Sequence, residues 1–217
     1  KSVAEIEGLG VDAMVEHMAV TKDYVILAVP YQTPVILDAL TADYVGTLDL
    51  GELAGLNAAI TADDAGNIII STYQEADGFR VARMASINDT PEVFITHSST
   101  DYGKDISVVG DVYGDAIVTM MYSPWCSGTT GHLRFVVSNG VSDTGYWSNF
   151  TAAEGVTAKI DNNNGDVIFR SADVNEPYFM SGYSGDVFVW VENGVAYDAQ
   201  LSVASGNEWM LGSVCLD

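Results

Sequence analysis

A chain of 217 residues with 48% apolar and only 18% charged side chains buries a sizeable core in one domain, which excludes a disordered chain. Thirty acidic against eight basic side chains leave a net charge of −22, so a phosphate backbone or an anionic membrane surface would be repelled. The 21 glycines and 11 tyrosines, with abundant Val, Ile and Thr, favour strands and tight turns, and no apolar run approaches the ~20 residues that span a bilayer.

The opening Lys1-Ser-Val-Ala-Glu5 lacks the apolar stretch of a secretion signal, as expected of a mature or trimmed form. A strand is predicted around Val3 to Ile6. The one helix candidate is an acidic stretch from Asp12 to His17, which reads equally as an approach to the first strand. From there a single phrase repeats: a strand, a short polar turn, and a second strand that is apolar throughout. Met18 to Ala28 turns near Asp23, Ile60 to Thr72 at Gly66, Val108 to Met120 at Gly114, and Ala158 to Arg170 at Gly165. The weakest copy, Val203 to Leu211, turns at Gly206. Gly, Asn and Asp dominate these turns because they adopt positive φ cheaply.

Further strands follow each phrase. They run Thr33 to Asp38, Tyr44 to Leu50, Phe79 to Ala85, Glu92 to Thr96, His132 to Ser138, Val187 to Glu192 and Val195 to Leu201. The turns recur at roughly 40 to 50 residues, the length of a four-stranded propeller blade. Runs such as Ile68 to Ile70, Ala116 to Val118 and Val167 to Phe169, apolar on both faces, suit strands covered on both sides by neighbouring sheets. The predicted fold is all-β. It is a β-propeller of about five four-stranded antiparallel blades within one domain, 1–217, either closed by the N-terminal strand or part of a longer propeller. A two-sheet β-sandwich is the alternative.

Chemistry is harder to find. Asp161-Asn-Asn-Asn-Gly165-Asp166 is oxygen-rich, but its Gly falls fifth and Ala172 stands where a calcium loop needs Glu. Asp161, Asn163 and Asp166 are therefore the only metal candidates, calcium being the ion, and no cofactor is expected. Their counterparts Asp63, Asp64 and Asn67 read as turn formers. His17, His97 and His132 have no ligand spacing, and no Gly-x-Ser-x-Gly elbow marks a nucleophile. Cys126 and Cys215 lack metal spacing and are equally consistent with a disulfide in an exported protein or with buried thiols. Asn88-Asp-Thr90 and Asn149-Phe-Thr151 match the glycosylation pattern as chance would supply.

Aromatic residues beside short polar groups are the better lead, because flat rings stack on sugars or anchor a protein partner. Tyr122-Ser-Pro-Trp-Cys-Ser-Gly-Thr-Thr-Gly131 places Trp125 in a loop between the second and third strands of its unit. Gly145-Tyr-Trp-Ser-Asn-Phe150 and Tyr178-Phe-Met-Ser-Gly-Tyr183 are similar. The ligand-binding candidates are Trp125, Tyr122, Trp147 and Tyr183, with no catalytic residue.

The phrases Ile60-Thr-Ala-Asp-Asp-Ala-Gly-Asn-Ile68, Ile106-Ser-Val-Val-Gly-Asp-Val-Tyr-Gly-Asp-Ala-Ile117, and Val35-Ile-Leu-Asp38 with Tyr44-Val-Gly-Thr-Leu48 resemble those of uncharacterised propeller-like lipoproteins secreted by gut Bacteroidetes. The resemblance covers most of residues 18–170 and rests on strand-and-turn phrases. It implies export, lipid anchoring through an upstream cysteine, and a place at the cell surface where glycan capture is common. No lipoprotein cysteine stands at the start of this sequence. The expected function is a non-catalytic extracytoplasmic binding module, monomeric, for a glycan or protein partner at the cell surface or in the periplasm. Two alternatives stand beside it: a glycoside hydrolase or lyase using two funnel carboxylates, and a structural or interaction domain of a larger surface protein.

Overall fold

The computed structural model describes residues 6–9, 13, 15–29, 31–72, 78–98, 102–123 and 131–149, then the strand segments 151–152, 167–169, 177–181, 187–192 and 195–198. In 102–105, 121–123, 131–132 and from 146 onward only the backbone is described, Val195 excepted.

Among the described residues eighteen strands form four successive sheets. The first holds β1 (His17–Val20), β2 (Tyr24–Ala28), β3 (Val35–Asp38) and β4 (Tyr44–Thr47) in chain order. The second repeats this plan with β5 (Asn57–Ala62), β6 (Ile68–Thr72), β7 (Phe79–Met84) and β8 (Glu92–His97). The third holds β9 (Tyr102–Gly110), β10 (Ala116–Ser123) and β11 (Gly131–Ser138), with β12 (Val141–Ser142) and β13 (Tyr146–Asn149) both pairing with β11. The fourth joins β15 (Val167–Phe169), β16 (Pro177–Ser181), β17 (Val187–Glu192) and β18 (Val195–Asp198), and β14 (Thr151–Ala152) adds to β18 in parallel. Every other pairing is antiparallel, as short connections between consecutive strands require.

The turns near Asp23, Gly66 and Gly114 form where the repeated phrase predicts them, and the last two are built alike; the turn expected at Gly165 lies outside the described residues. Asp63 N–H donates to Asn67 O at 3.0 Å and Gly66 N–H to Asp63 O at 3.0 Å. In the third sheet Asp111 N–H donates to Asp115 O at 3.0 Å and Gly114 N–H to Asp111 O at 2.9 Å. Asp at the first position caps the turn from its side chain: Asp63 Oδ1 accepts from Ala65 N–H at 3.0 Å and from Asn67 N–H at 2.8 Å.

Alternation along β6 decides how the sheets stack. Ile68 and Ile70 lie in one cluster with Ala19, Ile26, Ala28 and Ile36 of the first sheet, while Ile69 lies in another with Val118, Met120, Leu133 and Phe135 of the third. The second sheet is thus covered on both faces, and the three isoleucines are at most 1% exposed. Burying each of them stabilises the fold by about 2 kcal/mol. The first strands run beside one another, β1 along β5 and β5 along β9, and β15 meets β9 and β10.

These four sheets replace the two facing layers of a β-sandwich. Among the described residues they do not close into a ring. A fifth unit around Gly206 and a strand at residues 3–5 lie outside the described residues. The helix candidate at 12–17 is not one: Val15 and Glu16 are non-helical and His17 opens β1. The strand expected over Tyr44 to Leu50 ends at Thr47, where the ladder to Val35 stops. Beyond it the chain crosses to the second sheet through a short 3-10 turn, Gly51–Leu53, and drops Leu48, Leu50 and Leu53 into the cluster between the two sheets.

Candidate functional site

The densest polar network joins the second and third sheets at their turn ends. Asp63 is 7% exposed, and its Oδ2 accepts Asn67 Nδ2 at 2.8 Å and Val112 N–H at 2.9 Å. Asn67 Nδ2 also donates to Asp111 Oδ1 at 3.0 Å. Asp64 and Gly110 exchange two bonds, Gly110 N–H to Asp64 Oδ2 at 2.7 Å and Asp64 N–H to Gly110 O at 3.1 Å. The turn formers of one sheet therefore hold the turn of the next. With their oxygens engaged by donors fixed in both turns, these carboxylates act as a latch between the two sheets.

Arg83, on β7, is the second part of the same joint. Its guanidinium donates from Nε and Nη2 to Glu92 Oε2 and Oε1 at 3.2 and 3.0 Å, and from Nη1 to Gly140 O at 2.8 Å and to Val112 O. It lies 4.4 Å from the Tyr113 ring centre and 5.0 Å from that of Phe94. Hydrogen bonding from Arg83 holds the Glu92 carboxyl below its ordinary range, against a smaller opposing effect of burial. Burial, with the Glu92 charge nearby, pushes the Tyr113 hydroxyl up. Neither residue type nor spacing singled out Arg83 in the sequence; two arginines inside an otherwise apolar strand, Phe79-Arg-Val-Ala-Arg-Met84, were the available signal, and only the structure shows Arg83 to be the buried one.

His97 packs as the scattered histidines suggested. Its ring stacks on Phe79 at 5.3 Å and meets Phe135 edge-on at 5.8 Å, and burial lowers its pKa. Among the described residues no group of three or more His, Cys, Asp or Glu is placed to hold a metal ion.

One open cleft of about 220 Å³ lies between the first two sheets at their turn ends, lined by Lys22, Asp23 and Tyr24 on one side and by Gly66, Ser86 and Ile87 on the other.

The ligand candidates divide. Tyr122 sits near the end of β10, paired with Gly131 of β11, which in turn pairs with Asn149 of β13. Trp147 lies two rungs away, opposite Leu133, which pairs with Met120. The two aromatic positions thus flank β11 at one end of the third sheet. Trp125 falls in the connection from β10 to β11 and Tyr183 in that from β16 to β17, in a different sheet; both lie outside the described residues, as do Asp161, Asn163 and Asp166. Cys126 and Cys215 lie outside them too.

A family model described as a domain of unknown function, DUF8500, matches residues 6–217, nearly the whole chain. The chain belongs to that family. No curated protein matches the sequence of this DUF8500 domain. Among solved structures it is similar to hydrazine synthase from Kuenenia stuttgartiensis, with a TM-score of 0.57, 10% identity, and coverage of 85% of this chain and 53% of that one. The DUF8500 domain therefore spans about half the length of that chain, and at this identity the likeness is one of fold alone. A computationally designed protein, Ika4, gives 0.46 at 12% identity over 91% of this chain and 96% of that one, and the N-terminal domain of Nup159 gives 0.38 at 8% over 83% and 46%. Neither of these two supports an argument.

Proposed function

We propose that the DUF8500 domain is a β-propeller-type binding module that works outside the cytoplasm, without catalysis, and takes up a glycan through aromatic residues at one end of its third sheet. The observation that carries the ligand reading is the register of β10, β11 and β13. It sets Tyr122 and Trp147 on either side of β11, at the end where the connection bearing Trp125 leaves Ser123 and returns at Gly131. Two aromatic positions from separate strands thus flank β11, and the connection that leaves this end carries Trp125 with Ser, Thr and Gly residues in its sequence. Sugar rings present apolar faces to such platforms and hydroxyls to their rims.

The propeller reading is supported by four consecutive sheets whose first strands lie side by side and whose faces stack in chain order. A non-catalytic role agrees with the described carboxylates Asp63, Asp111 and Glu92, which are engaged by internal donors.

A glycan array probed with the full chain, followed by titration of any bound sugar, tests the proposal. The expected result is a sugar ligand whose affinity falls at least about tenfold in Trp125→Ala, with the melting temperature moved by no more than about 2 °C. An array without a ligand, or full binding by the variant, would overturn it.

A further inference from the structure

We infer that the cleft between the first two sheets is a second binding site, for a small zwitterion that joins an ammonium and a carboxylate to a short apolar body, as an aliphatic α-amino acid does. The cleft exists because two turns of the same phrase differ in length. In the second sheet Asp64, Ala65 and Gly66 stand between the hydrogen-bonded pair Asp63 and Asn67, and this longer turn reaches the third sheet through the Asp63–Val112 and Asn67–Asp111 bonds. In the first sheet only Lys22 and Asp23 stand between Thr21 and Tyr24, where Thr21 N–H donates to Tyr24 O at 2.9 Å. Among the described residues no hydrogen bond links this shorter turn to the second sheet. A gap of about 220 Å³ is left at the turn ends, which the next joint closes with its latch.

Its lining suits that ligand. Tyr24, Ile68 and Ile87 line it, and all three belong to or pack against the apolar cluster between the two sheets, so they supply an apolar wall held in place. Lys22 and Asp23 line it as well, both exposed, and neither side chain has an ion pair or hydrogen bond among the described residues. Their turn is fixed, since Thr21 Oγ1 accepts the Tyr24 N–H at 3.1 Å and Asp23 O accepts the Ala39 N–H at 3.0 Å. An ammonium and a carboxylate on neighbouring residues that do not quench each other suit a ligand carrying the reverse pair. On the other side of the cleft Ser86 Oγ accepts the Asn88 N–H at 3.2 Å, and its own O–H is left to donate.

Charge and size narrow the class. A net charge of −22 repels a free anion and Lys22 repels a free cation, whereas a zwitterion carries no net charge and satisfies both side chains. A volume of about 220 Å³ falls below the roughly 300–1,000 Å³ of drug-sized sites, which limits the ligand to about the size of an amino acid. The apolar wall then takes the aliphatic side chain. The cleft sits at the turn ends, whereas Tyr122 and Trp147 flank the other end of the third sheet, so this inference is independent of the glycan.

Titration calorimetry of the full chain with L-leucine tests it, beside three analogues. Isoamylamine keeps only the ammonium, 4-methylpentanoate keeps only the carboxylate, and N-acetyl-L-leucine amide keeps neither charge. L-leucine is expected to bind with a Kd of about 1 mM or tighter, and each analogue at least about tenfold more weakly. Lys22→Gln and Asp23→Asn should each weaken L-leucine at least about tenfold, and Ala85→Trp, which fills the cleft from an exposed position, should abolish binding. All three positions are exposed, so the melting temperatures of these variants should move by no more than about 2 °C. Failure of L-leucine to bind, or binding unchanged in Lys22→Gln and Asp23→Asn, would overturn the inference. So would an analogue that binds as tightly as L-leucine, because the cleft would then read one charge or none. Trp125→Ala should bind L-leucine like the wild type, whatever becomes of its sugar binding.

Discussion

Asp63, in the turn of the second sheet, accepts the backbone N–H of Val112, in the matching turn of the third, at 2.9 Å. A residue chosen for its turn chemistry is thereby also the cement between two sheets. Asp63→Ala leaves the amides of Ala65, Asn67 and Val112 without their acceptor, and Asn67 and Val112 are buried. Urea denaturation should show a loss of about 2–3 kcal/mol. Asp64→Ala, on an exposed neighbour, should lose under about 1 kcal/mol, and equal losses would refute the assignment.

Arg83 and Glu92 form an ion pair of unequal partners, with side chains 9% and 56% exposed. Glu92→Gln should cost less than about 1 kcal/mol, because an exposed pair is worth little. Arg83→Met strands the carbonyls of Val112 and Gly140 as well and should cost about 3 kcal/mol. Arg83→Lys should recover little of this, since one ammonium cannot reach the carboxylate and both carbonyls while stacking on Tyr113. Recovery of wild-type stability by Lys would show that charge alone matters here.

Burial between Phe79 and Phe135 lowers the His97 pKa from its ordinary 6.5. The unfolded chain then takes up a proton at that value while the folded chain resists, so stability should fall as pH drops through 6.5 and below. Glu92 and Asp38 are held below their ordinary 4.5 and 3.8, by Arg83 and by the backbone amides of Thr41 and Leu40 respectively. Their share of stability is therefore present above those values and is lost only in more acid solution. Melting curves between pH 7.5 and pH 5 should show a slope that His97→Phe abolishes. A slope unchanged by that substitution would place its origin elsewhere.

Gly78 opens the return strand of the second sheet with φ +120, and a Cβ there would sit 1.9 Å from His97 O. Gly78→Ala should therefore cost about 3 kcal/mol or more, because backbone lies in the way and cannot yield cheaply. Gly46→Ala, where a Cβ meets nothing within 4 Å, should stay within about 0.5 kcal/mol. Thermal melts of the two variants make the comparison.

Much of the architecture was legible because local chemistry and global packing agree in this chain. Hairpin turns need Asp, Asn and Gly, so Asp63 to Asn67 and Asp111 to Asp115 mark themselves. A strand covered on both faces needs apolar side chains at every position, so Ile68 to Ile70 announces two neighbours. The candidate site was legible only in part. Tyr122 and Trp147 are 25 positions apart in the chain, and nothing local says that β11 lies between them. The start of the crossover, Leu48 and Leu50, read as strand because alternating leucines look alike in a strand and in a coil pressed against a core.

What the amino-acid order determined by itself was the all-β class, the hairpins near Asp23, Gly66 and Gly114, and the double covering of β6. These depend on contacts between near neighbours and on side-chain periodicity, both written along the chain. The tertiary structure alone decided which face of each sheet meets which neighbour and that Asp63 reaches across to Val112. It also decided that Arg83 spans two sheets to reach Gly140. Those contacts join residues tens of positions apart, and their geometry exists only once the sheets have stacked.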